Sequence, residues 1–330
     1  MSDLRRQLLV VFGVAVSFAA LYLVLQSIDL GEAVAVLATA DPLPLLSVVG
    51  VVGVQVALRA FRWSLLLPRR QGGTRIAWVR LVPPLLVGYL GNAILPARLG
   101  EPMRAVIAAR RERVGMPETL ASVLLERVVD VATLAPVAFV AALLAGAPVW
   151  ATQVLGVIAA GGLVILAILA TVGVMPLVRL MDRLGLASRP VIRGVVARFS
   201  ASLGGPTRRL VVLSAAGISV TAWFLDAASI WLVATSIGVE LDYPAAMLIA
   251  GVGTLGTAIP SAPGYVGTYE LAVAGIAGAL GVPPAPSFAL ALLAHAMTLG
   301  PVSLGGAISV VGIGTNLGEV AQAAEASGHD

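Results

Sequence analysis

Apolar residues fall along this chain in long blocks separated by short polar stretches. Leu8–Leu25, Leu43–Leu58, Ala121–Leu144, Trp150–Met175, Leu210–Ile237 and Pro286–Ile313 each read as a membrane-spanning helix. Two further blocks, Leu81–Leu95 and Ala245–Leu280, are equally apolar but interrupted by Pro and Gly. Leu8–Leu25 follows Arg5 and Arg6, as a signal peptide would. It is too long for a typical signal core, lacks a small-residue cleavage site and precedes further spans, so it reads as the first transmembrane helix.

The charges between the blocks orient them, since basic loops stay on the cytoplasmic side. Arg5 and Arg6 precede the first block, and the next connection holds Asp29, Glu32 and Asp41 with no base. Residues 59–80 then carry six Arg, and residues 98–118 carry five Arg against three Glu. Residues 177–209 hold seven Arg against Asp182 alone, which reads as an amphipathic segment on anionic lipid; the connection after the fifth span holds only Glu240 and Asp242. Both termini are therefore expected in the cytoplasm. Leu81–Leu95 lies between two basic stretches that both belong there, and about 15 residues give only ~22 Å of helix against a core of ~30 Å. Charge and length are satisfied together by a re-entrant hairpin entering from the cytoplasm, the alternative being a short tilted span.

The second interrupted block repeats the first. Leu90-Gly91-Asn92-Ala93-Ile94-Leu95-Pro96 matches Leu255-Gly256-Thr257-Ala258-Ile259-Pro260, and each copy runs on through Gly to a Glu, Gly100-Glu101 and Gly267-Thr268-Tyr269-Glu270. Gly91 and Gly256 are 165 positions apart, half of 330. Three full spans lie between the copies, so the second enters from the opposite face. Interrupted segments at matching places in two inverted halves point to a transport site near the midplane, because freed backbone groups survive in a bilayer only where they line a cavity or are buried in protein. The expected architecture is all-α and polytopic: six full spans plus two oppositely oriented re-entrant helical hairpins. One integral domain occupies residues 1–315, in halves of about 1–165 and 166–315, with a polar tail at 316–330.

Composition narrows the chemistry. The chain is 59% apolar and 12% charged, with a mean hydropathy of +0.99, too few charges to clothe a soluble fold of this length. There is no Cys, hence no disulfide or thiolate metal site, and only His295 and His329 carry imidazole, so a His-rich metal site is excluded. All 21 basic residues are Arg. Without Lys the chain has neither a P-loop nor a pyridoxal Schiff base, so ATP-driven transport would need a partner chain. No basic run carries interleaved aromatics, so no nucleic-acid partner is expected. No cofactor or metal is expected.

The few charges inside apolar sequence become the candidates, because an ionised side chain at mid-bilayer costs about 2.5–3.5 kcal/mol on insertion scales and persists by pairing or facing water. Arg98, Glu101 and Arg104 recur at three-residue steps beside Asn92, and Glu126, Arg127 and Asp130 sit inside one span. These two groups read as a polar cavity, or alternatively as an inert interhelical salt-bridge cluster. Adding 165 to Asp130 gives His295 in the last span. Asp226 and His295 are accessory candidates. So are Arg62 and Trp63, although Arg59 and Arg62 read first as anchors at the positive face.

The ordered motifs Gly91-Asn92…Pro96…Arg98…Gly100-Glu101…Arg104, then Ala121-Ser122…Glu126-Arg127…Asp130, then Pro260…Pro263-Gly264…Gly267…Glu270 resemble the lysylphosphatidylglycerol synthase transmembrane family, also called the flippase-like domain family. The resemblance covers roughly residues 5–315. It implies movement of lipids or lipid-linked head groups between leaflets, with the matched residues around the substrate. Two departures stand out: no soluble aminoacyl-transfer domain, so synthesis of a modified lipid is not supported, and Tyr265 where a smaller residue is expected. The leading expectation is a plasma-membrane flippase, not an enzyme, for an anionic phospholipid or polyprenyl-linked lipid. Arg98, Arg104 and Arg127 would hold phosphate while Glu101, Glu126 and Asp130 offset charge or bind protons. The alternatives are a secondary transporter of a small anionic solute and a membrane enzyme of lipid head-group or glycolipid metabolism. A second copy or a lipid-synthesis enzyme is the candidate protein partner.

Overall fold

A computed structural model describes residues 3–26, 28–69, 73–95, 98–171, 173, 183, 208–314, 318 and 320, with the side chains of 3–10 and 208 outside that description. Pro96, most of the Arg-rich segment 177–209, and the C-terminal tail with His329 lie outside the described residues. Eleven helices are described: α1 Asp3–Leu25, α2 Leu30–Ala38, α3 Pro42–Leu66, α4 Val82–Ile94, α5 Gly100–Glu112, α6 Met116–Leu144, α7 Val149–Thr171, α8 Arg208–Ser236, α9 Tyr243–Gly256, α10 Thr268–Ala279 and α11 Pro284–Ile313. No strand occurs among them.

Short polar residues start the helices where the sequence leaves the apolar blocks. Asp41 accepts from Leu43 N at 2.9 Å ahead of Pro42, and Asp242 accepts from Ala245 N at 2.7 Å ahead of Pro244, so each cap satisfies a donor the helix cannot. Asp29 does the same for α2, taking Gly31 N and Glu32 N.

Five helices (α3, α6, α7, α8 and α11) are long and apolar enough to cross a membrane. A sixth crossing arises if Val11–Leu25 and Leu30–Ala38, bent by 88°, are one span. The chain is a multi-pass membrane protein. Its outer faces carry exposed Leu143, Val157 and Val311, while Ala is the commonest residue of the buried core, a small side chain that lets helices approach closely in lipid. By contrast α4, α5, α9 and α10 contain 13, 13, 14 and 12 residues. At 1.5 Å per residue they span about 18 to 21 Å, well short of a ~30 Å core.

Their arrangement recurs. Helices α3–α6, of 25, 13, 13 and 29 residues, are followed in the second half by α8–α11, of 29, 14, 12 and 30. α4 packs on α5 as α9 packs on α10, and α4 lies against α11 as α9 lies against α6, while α3 and α8 pack on each other. Each short pair closes over glycines three residues apart. A Cβ at Gly91 would lie 2.7 Å from Gly100 Cα, and one at Gly256 2.6 Å from Ala272 Cβ; Gly88 and Gly253 are equally crowded, at 2.9 Å and 2.7 Å. The long helices share an internal proline, Pro136 in α6 and Pro301 in α11. Gly88/Gly253 and Pro136/Pro301 keep the 165-residue spacing that Gly91 and Gly256 set.

Candidate functional site

The first charged group is built where α3, α5 and α6 meet. Arg62, on α3, donates to Glu126 Oε1 at 2.5 Å, to Asp130 Oδ2 at 3.1 Å, and to Asp130 Oδ1 and Ser219 Oγ. Arg104, from α5, places Nη2 2.8 Å from Glu126 Oε2 and lays its guanidinium 4.8 Å above the Trp63 ring. Trp63 Nε1 in turn donates to Ser122 Oγ. Arg62, Arg104 and Glu126 are 1–2% exposed and Asp130 is 4% exposed. A flank completes the group: Arg127 Nε is 3.0 Å from Glu101 Oε1, with Arg127 reaching Asp130 at 3.7 Å. Three Arg face three carboxylates, so the group is neutral as a whole and closed to solvent at its centre.

Arg62 therefore differs from its reading as a surface anchor. The apolar block around it resembles the end of a span, but α3 continues to Leu66 and carries Arg62 against two acids of α6, a pairing 64 and 68 positions distant that no local pattern reveals.

A second set lines a cavity of about 190 Å³ between α3, α4, α8, α10, α11 and the α9–α10 connection. Its polar wall includes Gln55, Arg59, Tyr89, Asp226, Tyr265, Tyr269 and His295. Arg59 and Gln55, both on α3, donate to Asp226 of α8 at 2.9 Å each, and Arg59 lies 5.3 Å from the Trp223 ring centre. His295 Nδ1 lies 2.5 Å from Glu270 Oε1, and Glu270 Oε2 accepts from Gly267 N at 2.6 Å, capping α10. The Tyr269 ring tilts over His295 at 4.6 Å.

The two helix breaks meet beside this cavity, where Arg98 of the first touches Thr257 and Tyr265 of its lining. Arg98 opens the first with φ +56°, and Tyr265 sits in the second with φ +62°, both in the left-handed region that side chains with a Cβ rarely adopt. Arg98 donates to the Thr257 carbonyl at the end of α9 and places its guanidinium 5.3 Å from the Tyr265 ring centre. No carboxylate pairs with Arg98 among the described residues. Gly264, at φ +71°, lies under Ala93 O, and Gly267, at φ +90°, has no room for a Cβ, which would fall 2.4 Å from Ser17 O of α1. Ser17 Oγ accepts from Ala262 N, tying α1 to the same connection.

The lysylphosphatidylglycerol synthase TM region family matches residues 10–306. The chain belongs to this family. The glycosyltransferase AglD of Haloferax volcanii is 28% identical over 359 aligned residues, which cover 95% of this chain. The chain spans 56% of that relative's length.

Within this member of the lysylphosphatidylglycerol synthase TM region family, the expected site residues divide. Arg62, Trp63, Glu101, Arg104, Glu126, Arg127 and Asp130 join the closed network. Arg98, Asp226, Glu270 and His295 gather at the cavity, with Pro263, Gly264 and Gly267 shaping its second break. Asn92 packs against Gly100, whose added Cβ would lie 2.7 Å from Asn92 Oδ1, and that oxygen has no hydrogen-bond partner among the described residues. Pro260 is exposed and does not line the cavity. Sequence reasoning passed over Gln55, Tyr89, Tyr269 and the cavity role of Arg59. For Gln55 and Arg59 the available signal was their i,i+4 spacing in an apolar helix, which puts both on one face.

Proposed function

We propose that this protein moves a lipid with an anionic, phosphate-bearing head group, either a phospholipid or a polyprenyl-linked lipid, between leaflets. The observation that carries this reading is the meeting of two helix breaks beside one cavity that holds Arg59, Asp226 and His295, with Arg98 at their junction lacking an acidic partner among the described residues. In this reading α4–α5 and α9–α10 are oppositely oriented re-entrant hairpins, and the recurring helix lengths, glycine seams and packing partners support an inverted repeat with α3 and α8 at its axis. The head group passes through the cavity while its tails stay in lipid. Arg98 meets the phosphate, and the ready-made Arg59–Asp226 pair spares the wall an uncompensated charge. The closed Arg62–Arg104–Glu126–Asp130 network holds the first hairpin on α3 and α6, since its charges are paired with one another and buried away from the cavity. The plasma membrane, with both termini in the cytoplasm, is the location that the basic loops favour.

Reconstituted protein tests this reading. Nitrobenzoxadiazole-labelled phosphatidylglycerol in the inner leaflet becomes reducible by external dithionite only if it crosses. Wild type is expected to expose the inner pool, and Arg98→Gln and Asp226→Asn to slow exposure about tenfold, a barrier change of ~1.4 kcal/mol. Wild-type rates in both variants contradict the site, and no exchange by the wild type contradicts lipid movement. The glycosyltransferase named among its relatives favours a second reading, an enzyme acting on a lipid-linked sugar. Turnover of such a lipid by the purified chain, without leaflet exchange, would select it.

A further inference from the structure

The Glu270–His295 pair has more to offer than a helix cap. Glu270 would cap α10 through Oε2 alone, yet its Oε1 is spent on an imidazole that lines the cavity. An ionised carboxylate only accepts, so Nδ1 carries the hydrogen and Nε2 is left as the ring's basic nitrogen. No described residue hydrogen-bonds to Nε2, and His295 is only 8% exposed. Ionisable residues inside a membrane protein mark substrate and ion pathways, proton relays among them.

We propose that Glu270–His295 is a proton-binding site that couples head-group passage to a proton gradient. This rests on the lipid-moving reading above and adds its energy source. A hydronium ion arriving through cavity water gives its proton to Nε2: one of its O–H bonds breaks, neutral water departs, and the resulting imidazolium keeps its Nδ1–H on Glu270. The pair goes from a charge of −1 to neutral. Before protonation, the negative charge of the pair opposes the attraction of Arg98 for an anionic head group, and Nε2 offers no donor. Afterwards the pair offers one N–H to a phosphate oxygen and no repulsion. Anion and proton then cross together as a neutral unit, and the lipid moves towards the alkaline side.

The surroundings support this assignment. Of the titratable and charged groups around His295, α3 contributes Arg59, α4 Tyr89, α8 Asp226, the α9–α10 connection Tyr265, and α10 Tyr269 and Glu270, with Arg98 beyond Tyr265. Arg59 is held by Asp226, so that pair adds no net charge. α1 and α2 meet α11 through Leu21, Val24, Ala33, Ala285 and Phe288, and α5 meets its far end through Met103, Val106 and Ile107, none of which titrates.

Proteoliposomes holding labelled phosphatidylglycerol and a pH step of about one unit test the coupling. One proton per lipid gives about tenfold enrichment in the leaflet facing the alkaline side, lost on adding a protonophore and unmoved by a potassium-diffusion potential. His295→Gln and Glu270→Gln should return the ratio to about one, a change that a purely structural cap would not produce. Wild-type exchange without enrichment overturns the coupling and leaves lipid movement intact, and enrichment persisting in both variants overturns the site. Absence of exchange overturns the lipid reading and the coupling with it. A further measurement needs no variant to fold. Adding dihexanoyl phosphatidylglycerol to wild-type protein in weak buffer should take up about one proton per lipid bound, read by a pH dye, and no uptake overturns the proposal.

Discussion

Two regions of this molecule place charge inside the membrane, and they do so in opposite ways. At the α3–α5–α6 junction, Arg62, Arg104, Glu126 and Asp130 balance one another in charge at 1–4% exposure, and the donors left over among the described residues, Arg62 Nε and Arg104 Nη1, are shut away from solvent. Across the cavity, Arg59–Asp226 and Glu270–His295 are also paired, but His295 and the adjoining Arg98 keep capacity unspent. The density of charge is therefore a poor guide to function. What counts is whether the pairing is complete and whether a cavity reaches it. The first region fixes the fold, and the second does the work proposed for it.

Breaking the closed network should cost most. Glu126→Ala strands two buried guanidiniums, and a loss of about 3–5 kcal/mol is expected. Thermal unfolding in detergent measures it, and a loss below about 1 kcal/mol would mean the network is solvated after all. Crowding a hairpin seam comes next. Gly91→Val drives a side chain into Gly100 and Met103, and a loss of about 1–3 kcal/mol is expected by the same assay. At the cavity the order of effects reverses. Arg98→Gln should leave unfolding nearly unchanged, within about 0.5 kcal/mol, while slowing lipid exchange. Opposite in sign, Tyr265→Gly should relieve the left-handed strain and stabilise by about 1 kcal/mol, while widening the cavity mouth and slowing exchange.

Much of this was legible in the sequence, and the reasons are local. The long blocks predicted α3, α6, α7, α8 and α11, because about 20 apolar residues are what a helix needs to cross lipid. The broken blocks predicted α4, α9 and α10, but Leu81–Leu95, expected to hold a whole hairpin, forms one helix that Pro83 and Pro84 start rather than break, and its partner α5 falls in the Arg-rich stretch after it. Family membership was readable from Arg98, Glu126, Glu270 and their neighbours, since those motifs are short and ordered. The division of the site was not. Whether Arg104 faces a phosphate or Glu126 depends on how α5 docks on α6, which is a tertiary distance rather than a spacing. Arg62 was misplaced for the same reason: its partners lie on a helix more than 60 positions away. The cavity role of Tyr265 was hidden too. Only the φ of +62° shows how a tyrosine fits beside Gly264 and turns its ring to Arg98.

The central claim is that lipid passes through the cavity where the two breaks meet. Leu299, of α11, lines that cavity without joining either charged pair. Leaflet exchange of labelled phosphatidylglycerol by Leu299→Trp, in proteoliposomes matched for protein content, tests the claim directly. Exchange is expected to fall to the protein-free rate while the unfolding temperature stays near that of the wild type. Exchange at the wild-type rate with the cavity filled would contradict it.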